Sequence, residues 1–95
     1  MKNNNHITAD LLKDCGQRLK KCRLALDLSQ DAIAQICNVN RTAYTHWEAG
    51  NRQIALKAMI QLKQTFGITA DYILTGDASA MPNDLRDIII KNQSA

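Results

Sequence analysis

Apolar side chains recur at helical spacing in the first third of the chain. Leu12, Cys15, Leu19, Cys22 and Leu26 are separated by steps of three or four residues, the spacing of side chains on one face of an α-helix. This stripe predicts a first helix that starts at residue 9 or 10 and ends at residue 26. The polar stretch before it, residues 1–9, is predicted to be a flexible arm.

Residues that begin and end helices divide the rest of the chain into short segments. Ser29, Asn40 and Thr69 precede apolar periodic stretches and are predicted N-caps. Asn38 and Gly50 are predicted to end helices because both tolerate a left-handed backbone. The pattern predicts helices over residues 30–37, 41–49 and 55–66, a short helix between residues 69 and 76, and a last helix over residues 83–92. No strand-like alternation accompanies them, so the expected fold class is all-α.

Length and composition indicate a single small domain. The chain has 95 residues, of which 45% are hydrophobic and 22% charged, as in ordinary globular proteins. No stretch approaches the roughly 18 apolar residues of a membrane span, and residues 1–10 lack the apolar centre of a secretory signal. We therefore expect a cytoplasmic protein with no membrane association. Residues 10–77 form the predicted domain, and residues 78–95 a linker and C-terminal helix.

Three cysteines and two histidines are the residues that could suggest chemistry. Cys15, Cys22 and Cys37 are odd in number and form no C-x-x-C pair, so we expect buried core residues rather than disulfides or a metal site. His46 has no neighbouring ligand cluster. There is no glycine-rich phosphate loop and no evident nucleophile–base arrangement. The sequence predicts no enzyme activity, no cofactor and no metal.

The third predicted helix separates apolar from hydrogen-bonding side chains. Tyr44 and Trp47 form an i, i+3 pair on the apolar side, and Val39 is placed to pack on Tyr44 as a hydrophobic staple. Arginine, threonine and histidine occupy the other side. Arginine can bond guanine bidentately, and threonine can bond a base edge or touch the thymine methyl. A short helix of this kind fits the major groove of double-stranded DNA. Its predicted contacts are Arg41, Thr42, Thr45 and His46.

Charge is distributed unevenly along the chain. Through residue 63 there are ten basic and five acidic residues, a net charge of +5, whereas the remainder has two basic and four acidic residues, a net charge of −2. The basic first two thirds of the chain suit a polyanionic partner. The basic run on the first helix, between Lys13 and Lys21, is either a solvated face or a set of phosphate contacts.

Several short motifs follow one another along the chain in one uninterrupted register. They are LSQ at 28–30, IA at 33–34, VNR at 39–41, WEAG at 47–50, Arg52, FGI at 66–68 and DYILTG at 71–76. With these motifs, residues 16–77 resemble the phage repressor/Cro-like (XRE-type) helix-turn-helix domains. The resemblance implies a compact five-helix, lambda-repressor-like DNA-binding domain, here with an added C-terminal helix. Asn38 and Ile54 depart from the glycine and proline that are usual there, which affects the expected path of the loop around Arg52.

The resemblance also implies roles for individual residues. Gln30 corresponds to a residue that reaches a backbone phosphate, and Asn51 and Arg52 to a loop that follows the phosphates. Arg23 and Glu48 correspond to a pair that commonly forms an ion bridge, although Arg23 alone could contact a phosphate.

The C-terminal stripe is the basis for the expected assembly. Leu85, Ile88 and Ile89 could pack on the chain's own core, pair two subunits, or hold another protein. We predict a homodimer on a palindromic operator, since two-fold symmetry doubles the contacts of one recognition helix. The expected activity is that of a small Cro-like repressor. The alternative is an antitoxin or adaptor that uses the C-terminal helix to bind a toxin or another protein.

Overall fold

The computed structural model describes residues 4–94 of the chain, with side chains from Thr8 to Asn92. This part contains no β-strand, which confirms the all-α prediction. Its six helices are α1 Asn4–Ala25, α2 Gln30–Ile36, α3 Arg41–Glu48, α4 Leu56–Phe66, α5 Ala70–Thr75 and α6 Asn83–Ser94.

Side-chain caps set the starts of three helices. Ser29, Asn40 and Thr69 each accept a hydrogen bond from the backbone N–H three residues later, at 3.0, 2.8 and 3.1 Å. Each bond satisfies an amide that has no acceptor within its own helix. The three predicted N-caps are confirmed.

The turn between α2 and α3 depends on a left-handed asparagine. Asn38 has φ of 60°, a conformation in which asparagine is several-fold enriched among non-glycine residues. The glycine that usually stands at this position is therefore replaced without loss of the turn. Gly50, after α3, has φ of 77° and ends that helix as predicted.

The first helix extends further toward the N-terminus than its apolar stripe. It begins at Asn4, not at residue 9 or 10, so most of the predicted arm is helical; residues 1–3 lie outside the described part. A helix that is already nucleated gains a backbone hydrogen bond with each added residue, and this can continue beyond the last buried side chain. Asp27, with φ of 58°, lies in the turn that follows Ala25.

The core lies between α1 and the other helices. α1 packs against α3, α5 and α6, while α2 packs against α3. The fully buried side chains include Leu19, Ile33 and Leu62. All three cysteines are free thiols, and all three are buried, which confirms their predicted place in the core. Burial raises the pKa of Cys22 to about 12 and that of Cys37 to about 11, so both stay protonated thiols. None of the described helices combines the length and apolar character of a membrane span.

The C-terminal helix places two of the three predicted dimerisation residues in the chain's own core. Leu85 and Ile89 are 5% and 4% exposed, because α6 packs on α1 and these residues belong to the chain's own core. Leu85 and Ile89 are thus unavailable as surface contacts between subunits. Ile88 is 42% exposed and is the one member of the predicted set that reaches the surface.

Candidate nucleic-acid interface

Two aromatic side chains fix the orientation of α3. Tyr44 is completely buried and Trp47 nearly so, with ring centroids 5.8 Å apart in an edge-to-face arrangement. Aromatic pairs of this geometry add to the stabilisation from burial alone. Because these residues face the core, as predicted, the opposite side of α3 faces outward.

The four predicted contact residues share that outward side. Arg41 and Thr42 are exposed, and Thr45 and His46 are half-buried. The Thr45 hydroxyl donates to the Thr42 carbonyl at 2.8 Å, which leaves its oxygen lone pairs and methyl group for a partner. The structure therefore brings a guanidinium, two hydroxyls and an imidazole together within two turns.

Arg41 is available for a new partner. Its guanidinium lies 3.6 Å from the Asp31 carboxylate, and the two side chains are 61% and 64% exposed. Surface pairs of this kind contribute about 0–1 kcal/mol, so Arg41 can leave Asp31 at little cost.

His46 links the outward side of α3 to the following loop. The Asn51 amide nitrogen lies 3.3 Å from His46 Nδ1. With Asn51 as donor, Nδ1 is the acceptor and a neutral ring carries its proton on Nε2, which is then a hydrogen-bond donor. This contact also places Asn51 beside the end of α3.

A hydrogen-bond network around Glu48 ties α3 to α1 and α2. Arg23 donates to both Glu48 oxygens, through Nε at 2.6 Å and a terminal nitrogen at 3.2 Å. The Tyr44 hydroxyl donates at 2.6 Å and Gln30 Nε2 at 3.2 Å. The implied ion bridge between Arg23 and Glu48 is confirmed. Arg23 also donates to the Leu28 carbonyl at 3.0 Å, so it has a structural position inside the fold.

The environment of Glu48 keeps it ionised. Burial opposes its negative charge, but hydrogen bonds from Arg23, Tyr44 and Gln30 outweigh that cost, and the pKa of Glu48 falls below its ordinary value. Burial, followed by the hydrogen bond to Glu48, raises the pKa of Tyr44. The hydrogen bond from Arg23 to Glu48 raises the pKa of the guanidinium. All three groups thus keep the protonation states that the network requires.

Gln30 is closer to this network than its implied role suggested. Its amide nitrogen donates to Glu48, and the side chain is half-buried at the start of α2. An amide nitrogen carries two hydrogens, so one remains for a partner at the surface. The bond to Glu48 holds that second donor in place.

The loop after α3 carries the remaining predicted residues. Asn51 and Arg52 are exposed, whereas Ile54 is buried. Ile54 anchors the loop in the core where the family commonly has proline. Within the described side chains, Arg52 forms no ion pair.

Gly16 has a packing role that the sequence analysis did not predict. A Cβ at this position would lie 2.5 Å from the Glu48 carbonyl oxygen and 2.9 Å from its carbon. The backbone of α1 therefore rests directly on the last residues of α3. A glycine inside an apolar helical stripe is a signal of such close approach.

Arg18 is also part of the scaffold. Its guanidinium donates to the Ile73 carbonyl at 3.0 Å, near the C-terminus of α5. Helix C-termini favour a cation because their last carbonyls lack partners. Arg18 and Arg23 are thereby distinguished from the lysines of α1.

Among the described residues there is no group of three or more metal-binding side chains. Cys37 is buried with a raised pKa, and thiol reactivity depends on the thiolate.

Comparison with known proteins gives a consistent picture. The helix-turn-helix family model HTH_3 matches residues 19–73, which include α2, α3 and α4. The SPbeta prophage-derived uncharacterized HTH-type transcriptional regulator YonR of Bacillus subtilis (strain 168) is 34% identical over 61 residues. These residues cover 64% of this chain and 56% of YonR. The uncharacterized HTH-type transcriptional regulator YqaE of the same organism is 33% identical over 63 residues, which cover 66% of this chain and 54% of YqaE.

A third relative has a more specific name. The HTH-type transcriptional activator BcrR of Enterococcus faecalis is 28% identical over 61 residues, which cover 64% of this chain and 30% of that protein. The chain thus spans about half the length, or less, of these curated relatives. No solved structure matches the chain significantly.

Proposed function

Because the chain belongs to the helix-turn-helix (XRE-type) family, we propose that it regulates transcription by binding specific sites in double-stranded DNA. The observation that carries this proposal is the division of α3. Its inner side is fixed by Tyr44, Trp47 and Glu48. Its outer side presents hydrogen-bonding groups that keep donors or acceptors beyond those used in their internal contacts. A rigidly held helix with free donors suits base reading in a major groove.

Base recognition is assigned to four residues of α3. Arg41, at its N-terminal end, is suited to a guanine edge, and Thr42 and Thr45 to base edges or a thymine methyl. His46 supplies a further donor through Nε2.

Phosphate binding is assigned to the residues around this helix. Gln30 would use its second amide hydrogen, while Asn51 and Arg52 would follow the backbone from the loop after α3. Such contacts position a protein on DNA without reading its sequence.

A homodimer is the proposed assembly. One short helix contacts few base pairs, whereas two copies on a palindrome double those contacts. Exposed apolar side chains that can support pairing are Ile88 and Ile90 on α6, and Leu56 and Ile60 on α4. Comparing Ile88→Asp with Ile60→Asp by light scattering would identify the pairing surface, because the variant on the interface becomes monomeric.

Repression is the proposed outcome at the promoter, by steric exclusion of RNA polymerase. The relatives do not share one sign of regulation in their names, since BcrR is named an activator. Transcription in vitro from a template that carries the selected site would decide: repression predicts fewer transcripts as protein is added, and more transcripts would reverse the sign.

Selection of bound sites from random duplex DNA tests the proposal as a whole. A palindromic consensus would support sequence-specific binding by a symmetric dimer. If no sequence is enriched, DNA reading is excluded and the antitoxin or adaptor alternative is favoured. A cytoplasmic location remains a prediction.

A further inference from the structure

The basic residues of α1 are separated by their surroundings. Arg18 is bound to the Ile73 carbonyl. Lys21 lies beside Leu24 and Ile89, in a hollow between α1 and α6. Lys13 lies about 12 Å from Lys21 along the helix axis, given a rise of about 1.5 Å per residue, and faces the end of α3 instead. The basic run is thus not one uniform surface.

Lys13 packs directly on the residue that ends α3. A Cβ built on Gly50 would lie 2.7 Å from Lys13 Cα and 2.8 Å from Lys13 Cγ. The stem of the lysine therefore passes alongside Gly50, whose next neighbours are Asn51 and Arg52. Gly50 has φ of 77°, so both its conformation and this close contact require glycine.

The charges in this region are not neutralised within the fold. Lys13 and Arg52 are both exposed, and neither forms an ion pair with another described side chain. Lys13 lies against Gly50 in space, and Arg52 follows Gly50 by two residues in the chain, so two uncompensated cations belong to the same turn. A compact lysine ammonium binds phosphate as a point charge.

We propose that Lys13 contacts a DNA backbone phosphate beside the one bound by the loop Asn51–Arg52. The phosphate-binding surface then spans α1 and the loop after α3, joined at Gly50. This inference rests on the proposed DNA-binding function and adds to it a residue outside the helix-turn-helix. In this position Lys13 helps set how deeply α3 enters the groove, and it does not discriminate between bases.

A structural role for Lys13 has a different signature. Its Cα and Cγ lie beside Gly50, directly after α3, and the dipole of a helix favours a cation near its C-terminal end. Removing a stabiliser of α3 would lower the melting temperature. Removing a phosphate contact would instead change the salt dependence of DNA binding.

The test is the salt dependence of affinity for the selected duplex and for a random duplex, between about 50 and 200 mM salt. Lys13→Gln should reduce the slope of log K against log salt by about 0.9, the value for one phosphate contact. Near 0.1 M salt this corresponds to about an eightfold weaker affinity for both duplexes. Lys13→Arg should keep the wild-type slope, since it keeps the charge.

Lys91→Gln is the matched control, because it removes the same charge from an exposed position on α6. It should leave the slope unchanged. The inference is overturned if Lys13→Gln also keeps the wild-type slope, or if it changes the melting temperature alone. If the wild-type protein binds neither duplex, the proposed function itself fails.

Discussion

The helices α3 and α6 are both amphipathic, but they differ in what their exposed sides offer to a partner. In α3 the apolar side is completed by Tyr44 and Trp47 against α1 and α2, so its polar side is free. In α6 the apolar residues Leu85 and Ile89 are buried in the chain's own core. An amphipathic pattern shows which side of a helix is covered, but not whether the cover comes from the same chain or from a partner.

The two helices also differ in how firmly they are held. α3 is fixed by a charged network that converges on Glu48 from α1 and α2. α6 is held on α1 by apolar contacts. Substitutions at each helix should therefore differ in size and in the property they change.

Glu48→Ala should give the largest loss of stability. Arg23 and Glu48 side chains are 11% and 6% exposed, and removing one member of a buried pair costs about 3–5 kcal/mol because the other charge stays buried. Urea denaturation measures this loss. Asp31→Ala is the matched control, since it breaks the exposed pair with Arg41 and should cost at most about 1 kcal/mol. Equal effects at the two sites would show that the Glu48 network does not hold α3.

Ile89→Ala should give the second-largest loss of stability. Ile89 is 4% exposed, and truncating a buried isoleucine costs about 2–5 kcal/mol. The loss should be independent of protein concentration in thermal denaturation, because the contact lies within one chain. Ile88→Ala, at the exposed neighbouring position, should cost far less. A strongly concentration-dependent loss at Ile89 would return that residue to a subunit interface.

Acid should weaken the Glu48 network and lower the stability of the fold by less than the two substitutions above. The folded-state pKa of Glu48 lies below its ordinary value, so the network's contribution is present above about pH 4.3, the ordinary glutamate pKa. It is lost as the pH falls through the lower, folded-state pKa. Denaturation between neutral and acid pH should show a steeper loss for the wild type than for Glu48→Gln. Parallel profiles would mean that Glu48 titrates alike in the folded and unfolded chain.

Local signals in the sequence were sufficient for much of the fold. Ser29, Asn40 and Thr69 act within three residues of their own position, so their capping roles could be predicted without knowledge of the tertiary structure. The left-handed turn at Asn38 is equally local. The bridge between Arg23 and Glu48 could be predicted because the family resemblance supplied a distant pairing.

What the sequence did not predict depends on approach between distant segments. Gly16 is small because α1 meets the end of α3 there, and Lys13 lies on Gly50 for the same reason. The burial of Leu85 and Ile89 depends on where α6 packs, which periodicity alone does not specify. The bond from Gln30 to Glu48 joins residues 18 apart in sequence, so the sequence predicts only the phosphate contact of Gln30.

The most direct test of the account is the effect of Arg41→Ala on discrimination between the selected site and a random duplex, at fixed salt. Arg41 belongs to the outward side of α3 and has a weak internal partner. Its removal should weaken binding to the selected site by about 1–3 kcal/mol more than binding to random DNA. Arg52→Ala should weaken both duplexes alike. If Arg41→Ala also weakens both alike, the outward side of α3 does not read bases through this residue, and the central claim is contradicted.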